Sequence, residues 1–449
     1  MTMSAPLRLL LYLVILTAFV SEFRDVVERL GVAGKLIKLL PDALSGVVLI
    51  CVALELARRK LLYVPPRYLA VGLLLVLHLA IGAIVSDVSP DTAVAGIRSY
   101  LKYLPLFLLP LVVPPSDREI RLCLMFILGL LLIQVPISVL QRLISTDLSG
   151  DVVRGTMSSG AVMSIVLISA IGVLFAFHLR GSLSRAVLLT LVGLLFIPTM
   201  INETKGTVIL LPFGILPVAM MHADPGKRLR RVAGLLGVCV LLLGAFTVVY
   251  NQMYSDRGQG IVEFFLEGGA STNVYKQKDI GEGKGVGRID SIMFAYEEFR
   301  GDPMKLIFGL GIGNVSDSLI PGEYVEEYAD HGVNTTTYSA LIWEVGILGI
   351  VLSLVLLSFI ARDSATLRVE HGPAGSLGLG WIAVCLVVFV SMLYKDLLHQ
   401  NVVGYVFFYL AGVVVSRRVL MEQADTSLSR HDMPAVIGPP SEARNWTVR

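Results

Sequence analysis

The chain has 449 residues, of which 55% are hydrophobic and only 16% are charged, and its mean hydropathy is +0.75. Soluble domains carry roughly 25% charged residues, so this composition excludes a string of soluble domains and indicates a protein embedded in a membrane. The formal net charge is only +2, and we expect no nucleic-acid partner.

Twelve apolar runs are long enough, or nearly long enough, to cross a bilayer as helices. Bilayers admit only helices or closed barrels, and these runs are too long and too evenly apolar for barrel strands. We therefore predict an all-α polytopic membrane protein with about twelve transmembrane helices and one long extracytoplasmic loop between helices nine and ten. The runs lie at 6–20, 38–57, 68–86, 97–113, 119–144, 160–179, 184–201, 206–221, 232–250, 338–361, 376–394 and 400–416.

The hydropathy pattern divides the chain into four parts. Helices one to nine occupy 1–250, a polar loop occupies 251–337, and helices ten to twelve occupy 338–416. The polar, proline-containing tail at 417–449 is predicted to be disordered and cytoplasmic. The run at 6–20 resembles a signal-peptide core, but no clear cleavage site follows it, so we interpret it as a retained first span.

The four cysteines do not indicate a cross-linked or metal-binding domain. Cys51, Cys123, Cys239 and Cys385 all lie in apolar runs. We therefore expect neither a disulfide framework nor a metal cluster.

Lysine and arginine are concentrated in one set of alternate loops, which predicts the orientation of the chain because such loops face the cytoplasm. The loop 251–337 then lies outside the cytoplasm. The first loop, with Arg24 and Arg29, is basic on the other side and is interpreted as an amphipathic interfacial helix. The cytoplasmic set contains Arg58, Arg59, Lys60, Arg67, Arg180, Arg185, Lys227, Arg228, Arg230, Arg231, Arg362, Arg368, Arg417 and Arg418.

Six cations on the opposite side lie where helices meet water. Each one alone is equally well explained as an interfacial anchor. If the helices form one bundle, however, several of them can converge on a single anion, and arginine suits bidentate contacts to phosphate. We favour a shared anion site, able to hold a diphosphate without a metal. The six are Arg98, Lys102, Arg154, Lys205, Arg288 and Lys395.

His331 is the main catalytic candidate, because histidine can take and return a proton near neutral pH. It lies just before the tenth span and is followed by Asn334. His399, near Asp396, is the competing histidine on the same side. Asp396 is suited to orienting a base or binding a sugar hydroxyl, and pairing with Lys395 explains it equally well.

The polar stretch around His331 resembles the bacterial O-antigen ligase and O-antigen polymerase family. The resemblance covers only about a seventh of the chain, and it rests on the order of four weak motifs rather than on any one of them. The motifs are Gly287-Arg288, the spaced glycines Gly309, Gly311 and Gly313, His331 followed by Asn334, and Glu344, Gly346 and Gly349 opening an apolar run.

The resemblance implies a metal-independent, inverting glycosyltransferase of the bacterial inner membrane whose active site faces the periplasm and which needs no cofactor. Its donor would be a glycan linked to undecaprenyl diphosphate, with the lipid tail between helices. His331 would be the general base and Arg288 would bind the diphosphate. Arg154, Lys205, either Arg98 or Lys102, and Asp396 correspond to the family only in approximate position.

The acceptor is not fixed by these residues. A polymerase adds the glycan to another lipid-linked repeat of a surface polysaccharide, and we favour this reading because no feature demands a bulky lipid A-core acceptor. The alternative is a ligase that transfers the glycan to lipid A-core. A third possibility is a flippase or transporter for lipid-linked glycans, which would be expected to bury ionisable residues inside the membrane.

Overall fold

The computed structural model describes residues 3–59, 62–145, 152–222, 225–253, 260–266, 286–315 and 322–431, and within these ranges it contains helices and no strands. In chain order the α-helices are α1 (Ala5–Ser21), α2 (Arg24–Val27), α3 (Val32–Arg59), α4 (Pro66–Val85), α5 (Pro90–Leu101), α6 (Leu104–Val112), α7 (Asp117–Ile144), α8 (Gly160–Leu179), α9 (Arg185–Ile201), α10 (Thr207–His222), α11 (Pro225–Met253), α12 (Ile261–Leu266), α13 (Asp290–Phe299), α14 (Pro303–Phe308), α15 (Thr337–Leu367), α16 (Gly372–Ser391) and α17 (Asn401–His431).

Eight of the described helices are long and apolar enough to cross a membrane: α3, α4, α7, α8, α11, α15, α16 and α17. Three more, α1, α9 and α10, are apolar but shorter. The predicted all-α, multi-pass membrane architecture is therefore confirmed. The predicted number of twelve spans is not, because three of the helices are short for a bilayer and the run at 97–113 is interrupted.

The interruption lies between α5 and α6 and follows from a proline. Pro105 occupies the first turn of α6, where its missing N–H costs no hydrogen bond. In a continuous helix the same proline would remove an interior bond. The break lets the side chain of Lys102 turn into the bundle, where its Nζ donates to Asn401 Oδ1 at 2.7 Å.

The centre of the bundle is held together by close approach of α8, α10 and α16. A Cβ added to Gly172 would lie 2.4 Å from the carbonyl oxygen of Gly214, and one added to Gly380 would lie 2.9 Å from the Cα of Val173. Small residues let membrane helices pack with their backbones in contact. These three helices therefore form the tightly packed centre of the bundle.

Part of the predicted loop 251–337 packs against the membrane helices. α15 is broken at Gly346, whose φ of 65° favours glycine. A Cβ there would lie 2.2 Å from Ile307 O, so α14 fits against the break. The backbone N–H of Leu310 donates to Trp343 O at 2.8 Å. The loop residues 254–259, 267–285 and 316–321 lie outside the described ranges.

The last helix is longer than the predicted span. α17 begins at Asn401, and its backbone stays helical to His431, whereas the apolar run ends at Ser416. Its apolar, membrane-competent part is Asn401–Ala424. Residues 432–449 of the predicted disordered tail lie outside the described ranges.

One end of the bundle, which we call the basic end, carries arginines matched to carboxylates or carbonyls of neighbouring helices. Arg67 and Arg418 both contact Asp363, which is 1% exposed. Arg417 contacts Asp117 and Glu370. Arg180 donates to Glu370 O and Arg368 donates to Met221 O. All five arginines belong to the set predicted to face the cytoplasm, so the structure brings these five members of the set together at one end.

Candidate functional site

A polar groove of about 650 Å³ lies at the other end of the bundle. It is formed where the segment after α16 meets the segment before α13 and the turn before α15. We call it the Arg288 groove. Its polar lining brings together three of the predicted site residues, Arg288, Lys395 and Asn334, with Tyr394 and Thr335 beside them.

Arg288 is fixed in the groove by Tyr394. Its Nε donates to the backbone carbonyl of Tyr394 at 2.9 Å, and its guanidinium lies over the ring of Tyr394, 4.4 Å from the centroid. Arginine stacks well on aromatic faces and keeps its planar fork of donors. Arg288 is therefore oriented before any ligand arrives.

Lys395 adds a second positive charge to the lining of the groove. It makes no ion pair with any described residue. Its backbone is held in place, because Lys395 O accepts from Thr337 Oγ1 at 3.1 Å at the start of α15. An arginine fork and a lysine ammonium in the lining of one groove suit a phosphate or diphosphate.

Lys205 lies next to this arrangement and is not part of the groove lining. Its Nζ sits 3.8 Å from the ring centroid of Phe264 and 5.7 Å from that of Tyr250. The following residue, Gly206, packs against the Tyr394 ring so closely that a Cβ would lie 2.8 Å from Cζ. The Lys205 loop therefore supports the ring on which Arg288 rests.

Arg154 belongs to the loop 152–159, which also meets the segment after α16. Its backbone N–H donates to Gln141 Oε1 at 3.1 Å. Further along the loop, Ser158 Oγ donates to Gln400. Arg154 does not line the Arg288 groove.

Arg98 and Lys102 are bound to residues of neighbouring helices and do not line the groove. Arg98 pairs with Asp42 of α3, whose other carboxylate oxygen accepts from Tyr405 at 2.7 Å. Lys102 donates to Asn401. Of the six predicted cations, the groove lining thus contains Arg288 and Lys395 only.

His331 lies beside the groove in a short 3₁₀ turn. Its ring meets three aromatic rings edge to face: Phe294 at 5.6 Å, Tyr328 at 5.2 Å and Trp343 at 5.9 Å between centroids. Its Nδ1 is buried and has no hydrogen-bond partner among the described residues. Any proton exchange at His331 therefore goes through Nε2.

A second histidine, His399, is paired with Asp396, a carboxylate that the sequence analysis treated as suited to orienting a base without assigning it to His399. His399 Nδ1 lies 2.6 Å from Asp396 Oδ2, and 26% of the His399 side chain is exposed. Burial lowers the pKa of His399, but the Asp396 carboxylate, with a smaller contribution from Glu344, outweighs this, so the net pKa is raised. The feature of the sequence that could have identified this pair is the i, i+3 spacing of Asp396 and His399.

An apolar cavity of about 460 Å³ runs along the membrane helices from this pair toward the basic end. We call it the α4–α17 cavity, because it lies between α4, α6, α15 and α17. Its lining includes Tyr100, Leu397 and Leu398 at the groove end, Leu341 and Phe407 midway, and Tyr68 near the basic end.

The segment after α16 joins the two features. Lys395 lines the Arg288 groove, and Leu397 and Leu398 line the α4–α17 cavity. Asp396, which is 3% exposed, lies between them in the chain. A molecule with an anionic head and a long apolar tail matches this succession of surfaces.

No family model matches the chain, and no curated protein matches it. In the part of the chain that the structure describes, no group of three or more His, Cys, Asp or Glu side chains is placed to hold a metal ion.

Proposed function

We propose that this protein is an integral-membrane glycosyltransferase of the bacterial inner membrane. It transfers a glycan from an undecaprenyl-diphosphate-linked donor to an acceptor hydroxyl at the periplasmic face. The observation that carries the proposal is that Arg288 and Lys395, from distant parts of the chain, line one polar groove. The chain segment that ends this groove also enters an apolar cavity along the membrane helices.

The donor would be held at both of its ends. The diphosphate would lie in the Arg288 groove, where the fork of Arg288 binds phosphate oxygens and Lys395 adds a point charge. The first isoprene units of the tail would lie in the α4–α17 cavity. The glycan would then extend into the aqueous part of the groove, toward Asn334, which is exposed.

The reaction we propose is a direct displacement. The acceptor oxygen forms a bond to the anomeric carbon while the bond from that carbon to the diphosphate breaks, so the anomeric centre inverts. The two cations neutralise the charge of the leaving diphosphate. The acceptor hydroxyl must lose its proton as it attacks, and His331, through Nε2, is the proposed proton acceptor; a general base contributes about 10²–10⁴-fold.

Among acceptors, we propose a second lipid-linked repeat, which makes the protein a polymerase. A second apolar cavity, of about 410 Å³, is lined by Trp381 of α16 and by Leu128 of α7. It shares Val388, Val403 and Phe407 with the α4–α17 cavity, so the two lie on opposite sides of the same helix pair. A polymerase binds two lipid-linked substrates, and two such cavities could hold their two lipid tails. Transfer of the glycan to lipid A-core remains the alternative.

A flippase for lipid-linked glycans is the second candidate function, and one observation favours it. Glu344 is fully buried and accepts from Tyr100 at 2.9 Å, and Asp396 and His399 lie close to it. Buried ionisable groups inside a membrane protein are typical of transport pathways. Translocation of the donor without any change in its glycan would distinguish this function from transfer.

The test is a reconstituted reaction. Purified protein in liposomes is incubated with the lipid-linked glycans extracted from the membranes of the source bacterium, and glycan length is followed on a gel. We expect longer glycans with the wild type and at least a tenfold slower reaction with Arg288→Ala, because a hydrogen bond to a charged group contributes about 1.5–3 kcal/mol. Arg288→Lys should restore only part of the rate.

Arg300→Ala is the matched control, because Arg300 is exposed and belongs to the same segment, and it should behave as wild type. Equal rates in Arg288→Ala and Arg300→Ala would contradict the proposed diphosphate site. Translocated but unchanged glycans would favour the flippase.

A further inference from the structure

The pair formed by Asp396 and His399 belongs to the segment after α16, which connects the lining of the polar groove with the lining of the apolar cavity. Lys395, on one side of the pair in the chain, lines the Arg288 groove, and Leu397 and Leu398 line the α4–α17 cavity. In the proposed donor, the phosphate that joins these two regions is the one that carries the isoprenoid tail.

The geometry of the pair leaves one ring nitrogen for a ligand. His399 Nδ1 is engaged by Asp396 Oδ2 at 2.6 Å, and the other oxygen of Asp396 accepts from the backbone N–H of Leu398 at 3.0 Å. Asp396 is thus held from two sides and sets the orientation of the imidazole. Because 26% of the His399 side chain is exposed, Nε2 is the nitrogen available to a ligand.

We propose that His399, in its protonated form, donates from Nε2 to the tail-linked phosphate of an isoprenoid diphosphate, and that Asp396 is the positioning residue that orients it. The inference rests on the proposed function. It adds a third donor to Arg288 and Lys395, located at the junction between the diphosphate and its lipid. No proton is transferred in binding, because the imidazolium only donates a charge-assisted hydrogen bond to a phosphate oxygen.

The surroundings of His399 make this contact dependent on protonation. The charged groups that face it are Asp396 in its own segment, Glu344 of α15 and Lys102 at the α5–α6 break, and Tyr100 of α5 is bonded to Glu344. Because the carboxylates of Asp396 and Glu344 lie close to His399, they would repel a diphosphate bound next to a neutral imidazole. A protonated imidazole offsets that charge and supplies the donor.

The sign of the pH dependence follows. The pKa of His399 is raised above its usual value by Asp396 and Glu344, against the effect of burial, so the charged form persists to higher pH than in a free histidine. As the pH rises through this raised pKa, the imidazole loses its charge and the contact is lost. Affinity for an isoprenoid diphosphate should therefore fall with rising pH.

The experiment measures binding of undecaprenyl diphosphate to the full-length protein in nanodiscs between pH 6 and pH 9. The terminal phosphate of this ligand titrates near pH 6, so it contributes a pH dependence of its own. His399→Gln keeps a side chain of similar polarity without the titration and reports the contribution of the ligand alone. We expect the wild type to bind about 10- to 100-fold more tightly than His399→Gln at pH 6, and the two to converge at pH 9.

Asp396→Asn is the second variant to be measured in the same binding experiment. It removes the carboxylate that raises the histidine pKa, so its loss of affinity should begin at a lower pH than in the wild type. A merely structural role for the pair would lower affinity at every pH alike. His371→Gln, which alters an exposed histidine at the basic end, is the control and should give the wild-type curve.

The outcomes separate this inference from the proposed function. If the wild type binds no undecaprenyl diphosphate at any pH, both are wrong. If binding depends on Arg288 but the wild-type and His399→Gln curves run parallel, the diphosphate site stands and the role of His399 is wrong. If the curves converge as expected but glycans are never lengthened, the phosphate contact stands and the polymerase assignment is wrong.

Discussion

The two ends of the helix bundle use charge in different ways. At the basic end, Arg67, Arg417 and Arg418 are each tied to a carboxylate of another helix. At the groove end, Arg288 is held by a carbonyl and an aromatic ring, and Lys395 has no ion-pair partner among the described residues. Charge at the basic end joins helices, whereas at the groove end a stacked arginine and a lysine line one groove, where we propose that an anion binds.

This difference also explains why cations at the groove end cannot be treated as one set. Arg98 is located there, but it pairs with Asp42 and so resembles the arginines of the basic end. Lys102 binds Asn401 inside the bundle. Position relative to the membrane is therefore a poor guide to function, and the partner of each cation is a better one.

The largest expected effect is on turnover at the groove end. His331→Phe keeps an aromatic ring among Phe294, Tyr328 and Trp343 but removes the proton acceptor. Glycan transfer should fall about 10²–10⁴-fold while binding of undecaprenyl diphosphate stays within twofold. His331→Ala should lose transfer as well. Near-normal transfer by His331→Phe would remove His331 as the base.

The next effect concerns stability at the basic end. Asp363→Ala removes the buried carboxylate shared by Arg67 and Arg418. Breaking a buried ion pair by removing one partner costs about 3–5 kcal/mol, so the apparent melting temperature in detergent should drop. Glu422→Ala, which breaks an exposed pair with Arg418, should cost less than about 1 kcal/mol. Equal losses in the two variants would show that the Asp363 cluster does not join the helices.

A smaller effect is expected on stability: the free energy of unfolding should depend on pH because of Glu22. This carboxylate accepts from Val402 N at 2.9 Å and Ser158 N at 3.4 Å, and burial raises its pKa from 4.5 to about 7. The folded state therefore favours the protonated form. The resulting stabilisation is complete below about pH 4.5 and is lost as the pH rises through about 7.

Glu22→Gln tests this, because glutamine keeps an acceptor oxygen without titrating. Between pH 5 and pH 8 the wild type should lose about 1–3 kcal/mol relative to the variant, seen as a falling difference in melting temperature. Parallel melting curves would show that the surroundings of Glu22 do not disfavour its charge.

The smallest effect concerns the support of Arg288. A methyl group on Gly206 would lie 2.8 Å from Tyr394 Cζ, so Gly206→Ala should displace the ring on which the guanidinium rests. We expect about three- to tenfold weaker binding of undecaprenyl diphosphate with little change in stability. Gly193→Ala is the control, because its added methyl group would meet nothing within 4 Å. Gly181→Ala at the basic end is not suitable, because the φ of Gly181 is 75°.

The helices could be predicted closely because their signals are local. The run at 160–179 was predicted from hydropathy alone and is α8, with Ser159 as its N-cap. The break at Lys102 was missed, although Pro105 was visible, because an apolar run that long suggested a continuous span. The helical extension of α17 beyond Ser416 was missed because its polar composition resembles a disordered tail.

The site could be predicted only in part. Arg288, Lys395 and Asn334 were identified as site residues, but nothing local to the sequence brings them to one groove. The stacking of Arg288 on Tyr394 and the pairing of Arg98 with Asp42 depend on tertiary packing across helices far apart in the chain. The Asp396–His399 spacing was a local signal, and its meaning became apparent only once the neighbouring cavity was seen.

The most direct measurement is the titration of undecaprenyl diphosphate into nanodisc-embedded wild type, Arg288→Ala/Lys395→Ala and Arg300→Ala at pH 7. If the groove binds the diphosphate, the double variant should lose at least 100-fold in affinity, from two contacts of about 1.5–3 kcal/mol each, while Arg300→Ala binds as wild type and all three proteins melt at similar temperatures. Wild-type affinity in the double variant would contradict the assignment of the Arg288 groove as the diphosphate site.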